Sequence, residues 1–371
     1  MSAIASRRQT ICRLLAVGGV GAVGGFALRD YAPWTNYDAE ADRPRQPFPS
    51  DPATRPRMMG LIRSATLAAN GHNAQPWRFA LSPDSIAIHP DYSRRLPAVD
   101  PADRELWITL GCALENLLIA ARAMGYAPEV TYPENRDLIH IHLAADTPQR
   151  DSLFDAIPSR QSTRSEYDGR LIAPNQLDSL QNLSREPGIG VQPIVERSGL
   201  ATLTDYVHES TLSQYADEAF RQELIHWLRF NKKEAVASLD GLYAACTGNS
   251  TVPRWLGQWF VAGAKPPDLA EADVKKLRSS AGAVVITSLA ERKADWVRTG
   301  QVYERMALRM TSWNIKSAFL NRPVEVESVR GKLQSALGLG AARPLVLVRF
   351  GYSNSMLRSL RRPVEQVLMP T

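Results

Sequence analysis

The sequence predicts an α+β fold with mixed or antiparallel sheets flanked by helices. Three patterns support this: an early hairpin, two long helical segments, and a strand after each long helix. The shared plan of a long apolar helix leading to a strand divides the chain into two unequal halves, 55–150 and 151–371. A segment at 1–28 and a linker at 29–54 precede them.

The first half shows its pattern most clearly. Residues 77–81 and 85–89 form a hairpin around a Ser-Pro-Asp turn. Residues 103–124 carry apolar side chains at helical spacing and end at Gly125, which suits a helix C-terminus. A strand at 138–143 closes this half.

The second half is predicted from longer segments with weaker boundaries. A β-branched strand is predicted at 283–289 and a late strand at 345–350. Helices are predicted at 174–184, 200–208, 214–239, 293–319 and 325–337.

Composition excludes several classes of function. The net charge of +6 is carried partly by the first few residues, so the body is only mildly basic and no nucleic-acid partner is predicted. A mild basic excess is compatible with a small anionic ligand. The three cysteines lack CxxC spacing, and His140 and His142 lack a third ligand, so no metal site is predicted.

The N-terminus resembles a twin-arginine export signal. Arg7 and Arg8 precede a weakly hydrophobic, glycine-rich run at 14–28. A membrane-anchoring helix is the alternative, although the glycines make a poor spanning helix. The sequence therefore predicts export through the twin-arginine machinery to the periplasm or cell envelope, with anchoring if the signal is not cleaved. The proline-rich residues 29–54 are predicted to be a linker with little packing.

An amide-rich loop follows the first helix of the first half. Residues 69–79 read Ala-Asn-Gly-His-Asn-Ala-Gln-Pro-Trp-Arg-Phe. Asn and Gln offer uncharged donors and acceptors that could bond the edge of a planar ring. The alternative is an ordinary helix-to-strand turn. Trp77 begins a strand and alternates with Phe79, so it is predicted to be core.

Two arginine-rich stretches point to a phosphate. In residues 158–167, Arg160 and Arg164 flank Ser162, and two guanidinium groups with a hydroxyl can converge on one dianion. The alternative is a solvated basic loop. Residues 358–365 could supply further cations, or form a basic C-terminal tail.

Together these stretches resemble the nitroreductase family of flavoproteins. Members carry an Arg-x-Ser-x-Arg motif, a loop ending in Asn-x-Gln-Pro-Trp, and a last strand followed by basic residues; residues 111–121 also resemble the family's central helix. Here the amide loop lies in the first half and the arginine motif opens the second. That order is similar to the Acg-like subgroup, in which two fused halves mimic a dimer. Neither half carries both motifs, so one flavin site is expected.

The resemblance implies FMN as the cofactor and a set of residues that hold it; no side chain need act as acid or base, and no catalytic residue is assigned. Arg160, Ser162 and Arg164 would hold the phosphate and ribityl end, Arg361 or Arg362 would assist, and His72, Asn73 and Gln75 would line the ring.

The resemblance also implies an activity. NAD(P)H would reduce the flavin, and a nitroaromatic, quinone or similar small acceptor would take the electrons. The alternative is an FMN-sequestering protein with a covered flavin and no turnover. A monomer or weak dimer is expected.

Overall fold

The computed structural model describes residues 36–49, 53–133, 136–184 and 186–370. The predicted export segment 1–28 lies outside the described residues. The α-helices are α1 (Tyr37–Asp42), α2 (Thr54–Thr66), α3 (Arg104–Ala123), α4 (Ser152–Ala156), α5 (Pro174–Gln181), α6 (Arg197–Ala216), α7 (Glu218–Trp227), α8 (Lys232–Ser238), α9 (Arg254–Ala262), α10 (Pro266–Arg278), α11 (Lys293–Ser312), α12 (Arg322–Glu325), α13 (Glu327–Ala336) and α14 (Val364–Val367). The strands are β1 (Trp77–Leu81), β2 (Ser85–Pro90), β3 (Tyr126–Thr131), β4 (Ile139–Ala145), β5 (Ile189–Ile194), β6 (Leu228–Arg229), β7 (Leu242–Tyr243), β8 (Gly282–Ser288), β9 (Lys316–Phe319) and β10 (Arg343–Gly351).

Two four-stranded antiparallel sheets organise the molecule. The first has the order β1-β2-β4-β3 and the second β5-β8-β10-β9, while β6 and β7 form a small parallel pair. In both large sheets the strands therefore follow the spatial order first, second, fourth, third. The predicted α+β class, with mostly antiparallel sheets flanked by helices, is confirmed.

The two longest core helices, α3 and α11, occupy equivalent places in this plan. Each has 20 residues and connects the second strand of its sheet to the third. They pack against each other inside one hydrophobic cluster that includes Trp77, Leu110 and Tyr303. Of the described residues, only α3 has the length and hydropathy of a membrane span, and 94% of that window is buried inside the protein. Its apolar character is therefore accounted for by the core.

Two glycines allow this helix pair to approach closely. A Cβ on Gly111 would lie 2.0 Å from the carbonyl oxygen of Val297, and one on Gly300 would lie 1.9 Å from that of Ile108. The contact is reciprocal, because each glycine lies three positions after the residue whose carbonyl faces the other glycine. Side chains at these positions would force the helices apart.

Several predicted boundaries are wrong for identifiable reasons. The helix predicted at 293–319 ends at Ser312, because Asn314 adopts a positive φ of 59° and the chain enters β9. The helix predicted at 214–239 is divided where Asp217 and Asn231 cap new helices with their side chains. Strand β5 was not predicted, since Pro193 and a glycine interrupt its pattern; both are tolerated because β5 is an edge strand.

The described part of the predicted linker is packed. Tyr37 and Ala41 of α1 are 6% and 4% exposed and join a cluster with Tyr243 and Cys246. Arg63 donates to the carbonyl oxygens of residues 46 and 47. The expectation of little packing was therefore wrong for residues 36–49, because aromatic and arginine contacts hold them to the body.

The C-terminal segment returns to the first half. After β10, residues 352–363 run without helix or strand, and α14 then reaches the edge of the first sheet. There the amide of Met369 donates to the carbonyl oxygen of Phe79 over 2.8 Å. The arginines at 361 and 362 are thereby carried from the second sheet to the first.

We expect Gly111→Ala and Gly300→Ala each to lower the free energy of unfolding by ~3 kcal/mol or more, because the added methyl meets a backbone carbonyl. Urea denaturation at constant pH measures the change. Gly331→Ala is the matched control, since that glycine lies within α13 with no atom near its added Cβ; it should be neutral or stabilising by up to ~1 kcal/mol. Equal stabilities for all three variants would contradict the close crossing.

Candidate functional site: a buried arginine cluster where the halves meet

Arg160 is the centre of the candidate site. It follows α4, and the chain continues until Thr163 bonds through its backbone amide to Ser317 of β9. Its side chain is 4% exposed; Nη2 donates to the carbonyl of Leu67 over 2.9 Å, and Nε lies 2.8 Å from Glu304 Oε1. Arg160 therefore contacts the end of α2 and the middle of α11.

Glu304 is the carboxylate buried with this arginine. It is fully buried on α11 and also accepts from the amide of Ala69 over 3.2 Å. Burial raises the pKa of Glu304, while the Arg160 guanidinium opposes that shift. No local motif marks Glu304, and sequence reasoning missed it. Aligning α11 with α3 would have offered a signal, because Glu115 occupies the same position of α3.

Arg361 ties the C-terminal segment to the amide loop. Its Nε donates to the carbonyl of Thr66 over 2.7 Å, and its Nη1 donates to Asn73 Oδ1 over 2.8 Å. Burial, and then the nearby Arg45 and Arg160, lower the pKa of Arg361 to about 9. The structure thus brings together Arg160 and Arg361, as predicted from separate stretches of sequence.

Arg362 holds the same loop from a second side. Its backbone amide donates to Gln75 Oε1 over 2.9 Å, and its Nη2 donates to the carbonyl of Gln75 over 2.6 Å. Gln75 Nε2 in turn donates to the carbonyl of Leu239, and Asn73 Nδ2 donates to those of Gly241 and Leu360. The side chains of Asn73 and Gln75 are therefore engaged in positioning the loop.

The amide loop is held in an unusual conformation. His72, Asn73 and Gln75 all have positive φ, at 48°, 54° and 54°. Such angles are unfavourable for residues other than glycine and persist where surrounding bonds enforce them. The bonds from Arg361 and Arg362 supply that enforcement.

Three polar side chains, from the arginine motif and from the amide loop, have polar groups without a partner among the described residues. Arg164 and Ser162 are half-buried, and their side chains form no hydrogen bond or ion pair within that part of the chain. His72 Nδ1 is buried without a partner. Burial, with the neighbouring Arg164 and then Arg322, lowers the pKa of His72 to about 4. The loop and the arginine motif thus lie close enough to influence each other's charge.

Arg45 is a further cation that sequence reasoning missed. Burial, and then Arg358 and Arg160, lower its pKa to about 10. It belongs to the segment predicted as linker, where nothing in the local sequence marks it. The half-buried Arg45 thus adds a third cation to Arg160 and Arg361, while Glu304 pairs with Arg160, and this surplus of positive charge favours an anion.

The fold is an α+β arrangement of two sheets with the same strand order, and the arginine cluster links segments from both parts of the chain. The chain is similar to two Mycobacterium tuberculosis proteins. One, "Putative NAD(P)H nitroreductase Rv3131", is 22% identical over 302 residues, covering 79% of this chain and 84% of that protein. The other, "Putative NAD(P)H nitroreductase acg", is 23% identical over 341 residues, covering 86% and 97%. The chain therefore has homologues among nitroreductases. No protein-family model matches it.

Solved nitroreductase structures superpose on this chain with low TM-scores. The FMN-dependent NfnB of Mycobacterium smegmatis, in complex with NADPH, gives a TM-score of 0.35 at 13% identity, over 59% of this chain and 93% of that one. A Desulfitobacterium hafniense nitroreductase with bound FMN gives 0.37 at 9% identity, over 60% and 100%.

We expect Arg160→Met to lower the free energy of unfolding by ~3–5 kcal/mol at neutral pH, because Glu304 would stay buried without its cation. Adding Glu304→Gln should restore a large part of that loss. The exposed pair of Arg150 and Asp155 provides the control, and Arg150→Met should change stability by less than ~1 kcal/mol. Strictly additive losses in the double variant would show that the two side chains do not interact.

The His72 environment predicts an acid-sensitive contribution to stability. The folded imidazole, with its pKa lowered to about 4, stays neutral while the unfolded chain takes up a proton below pH ~6.5. The stability contributed by this residue is therefore lost as pH falls from ~6.5 towards 4, by ~1–3 kcal/mol. His72→Gln should flatten the urea-midpoint profile over that window. An unchanged profile would refute the assigned pKa direction.

Proposed function

We propose that this chain is an FMN-binding oxidoreductase of the nitroreductase type. The observation that carries the proposal is the buried surplus of guanidinium groups beside a strained, amide-rich loop at the junction of the two halves. A surplus of that kind is stabilised by a dianion such as a phosphate monoester. The nitroreductase homologues support the same assignment.

The chemistry of the residues at this site is compatible with FMN. Arg164 and Ser162 have no partner among the described residues, so they are available to bind a phosphate and a ribityl hydroxyl. Arg160 supplies charge from its anchored position on Glu304. His72 Nδ1 is an unpartnered polar atom that could bond the edge of a heterocycle. Asn73 and Gln75, which remain predicted ring contacts, hold the loop that presents His72.

A bound flavin would supply the redox chemistry, taking a hydride from NAD(P)H and passing electrons to a nitroaromatic, quinone or similar small acceptor. The chain's own residues position it and set the local charge. The neutral state of His72 leaves its imidazole able to donate or accept a hydrogen bond without adding another cation. The cations near the loop favour accumulation of negative charge on the ligand.

We also propose that residues 55–150 and 151–371 are fused halves that mimic a dimer. Support comes from the shared strand order and from the reciprocal crossing of α3 and α11.

Export by the twin-arginine route remains a proposal supported by sequence alone. Cell fractionation of a chain with Arg7 and Arg8 replaced by lysine tests it, since an unchanged envelope location would contradict that route.

The proposed function is tested on the purified full chain. Acid-released ligand should be FMN by mass, at one per chain. NADH or NADPH, added without oxygen, should bleach the bound flavin. A protein that binds FMN but is reduced by neither nucleotide would favour sequestration instead, and a chain that binds no flavin would refute the assignment.

We expect Arg164→Gln to weaken FMN binding by about tenfold or more, because it removes a charged donor to the phosphate. Stability should change little, since Arg164 makes no ion pair within the described residues. Arg170→Gln is the control: Arg170 is 70% exposed and pairs with Asp168, so its FMN affinity should match wild type. Fluorescence titration of apoprotein measures both, and equal affinities would contradict the phosphate assignment.

A further inference from the structure

The strap, residues 36–49, lies directly against the arginine cluster. Tyr37 packs on Tyr243 with ring centroids 5.2 Å apart, and its hydroxyl donates to the carbonyl of Arg358 over 2.8 Å. That carbonyl lies in the same segment as Arg361. Asp42 also pairs with the Arg358 side chain over 2.9 Å. The strap therefore contacts one of the two chain segments that supply the site's cations.

Arg45 connects the strap to both of those segments. Its Nε donates to the carbonyl of Pro158 over 3.2 Å, two residues before Arg160, and its Nη2 donates to that of Ser359 over 3.3 Å, two residues before Arg361. Its Nη1 donates to the carbonyl of Ala41 within the strap. The Arg45 side chain thus connects the loop that carries Arg160 with the C-terminal segment that carries Arg361.

The same contacts carry an electrostatic cost. Besides burial, Arg358 and Arg160 lower the pKa of Arg45, and Arg45 and Arg160 lower the pKa of Arg361, so these guanidinium groups lie close enough to repel one another. Glu304 offsets part of this charge from the far side, through Arg160. Like charges repel strongly where solvent screens them poorly. Repulsion from the other guanidinium groups therefore opposes docking of Arg45 until an anion is present.

We propose that the strap is part of the anion site, and that binding of a phosphate monoester and docking of the strap stabilise each other. The inference rests on the proposed function. The coupling is reciprocal: a dianion relieves the repulsion that opposes docking, and docking adds Arg45 to the positive field and fixes the two loops. Arg45 is accordingly a positioning residue, with every nitrogen of its guanidinium already donating to a carbonyl.

Hydrogen exchange of the full chain, followed by mass spectrometry with and without FMN, tests the coupling. FMN should slow exchange of the amides at 37–46 by about tenfold or more in the wild type. Inorganic phosphate at millimolar concentration should slow it to a smaller extent. A wild type that binds FMN with no change in strap exchange overturns this inference and leaves the proposed function intact. A wild type that binds neither ligand overturns both.

Substitutions separate the role of Arg45 from general basicity. Arg45→Gln should weaken FMN binding by about tenfold and remove the FMN-dependent protection. Arg43→Gln is the matched control in the same segment, since Arg43 is 45% exposed and pairs only with Glu40 among described carboxylates; it should behave as wild type. Equal FMN affinity in the two variants overturns the proposal.

Tyr37→Phe gives a second test that leaves every cation in place. It removes only the hydroxyl that bonds the Arg358 carbonyl and contacts Cys246, and it retains the ring packing. The strap should exchange faster, and FMN affinity should fall severalfold with it. A loosened strap with unchanged FMN affinity would show that the two are uncoupled and would overturn the proposal.

Discussion

The crossing of α3 and α11 sets the positions of everything around the site. Gly111 and Gly300 let two backbones approach where any side chain would collide with a carbonyl. The helices then act as one rigid core on which each half places its sheet. Because α11 carries Glu304, the depth of the crossing also decides how far that carboxylate lies beneath Leu67 and the amide loop. Packing and electrostatics are therefore linked through the same pair of helices.

The two halves use this crossing differently. Glu115 on α3 pairs with Arg305 of α11 over 2.7 Å and also accepts from Gln301, and Arg305 pairs with Glu186 as well. Glu304, at the equivalent position of α11, pairs instead with Arg160 from the motif loop. One carboxylate closes an internal ion pair, and the other anchors an arginine that is surrounded by further cations. The equivalent positions on α3 and α11 therefore differ, and the cluster of cations lies at the α11 position.

The sequence predicted the fold class, the hairpin and the long helices because their patterns depend on local spacing and turn chemistry. The spacing of Arg160 and Arg164 indicated that they share a ligand, and the family resemblance grouped them with Arg361, since no local rule relates residues two hundred positions apart. Helix boundaries failed where a capping residue such as Asp217 acted inside an apolar pattern. Glu304 and Arg45 were missed for a different reason. A buried charge is recognisable only once its partners are known, and those partners come from distant segments.

Asn73 and Gln75 have a structural role in the loop besides their predicted contact with a ring edge. They are predicted to bond a ring edge, and in the structure their side chains bond Arg361, Arg362 and backbone carbonyls. Those bonds hold three positive-φ residues in place, a conformation that an unsupported loop would relax. Arg361 and Arg362 thereby hold the conformation of the loop and also contribute positive charge to the site. Loss of either arginine should disturb the presentation of His72, so the electrostatic and conformational parts of the site depend on the same side chains.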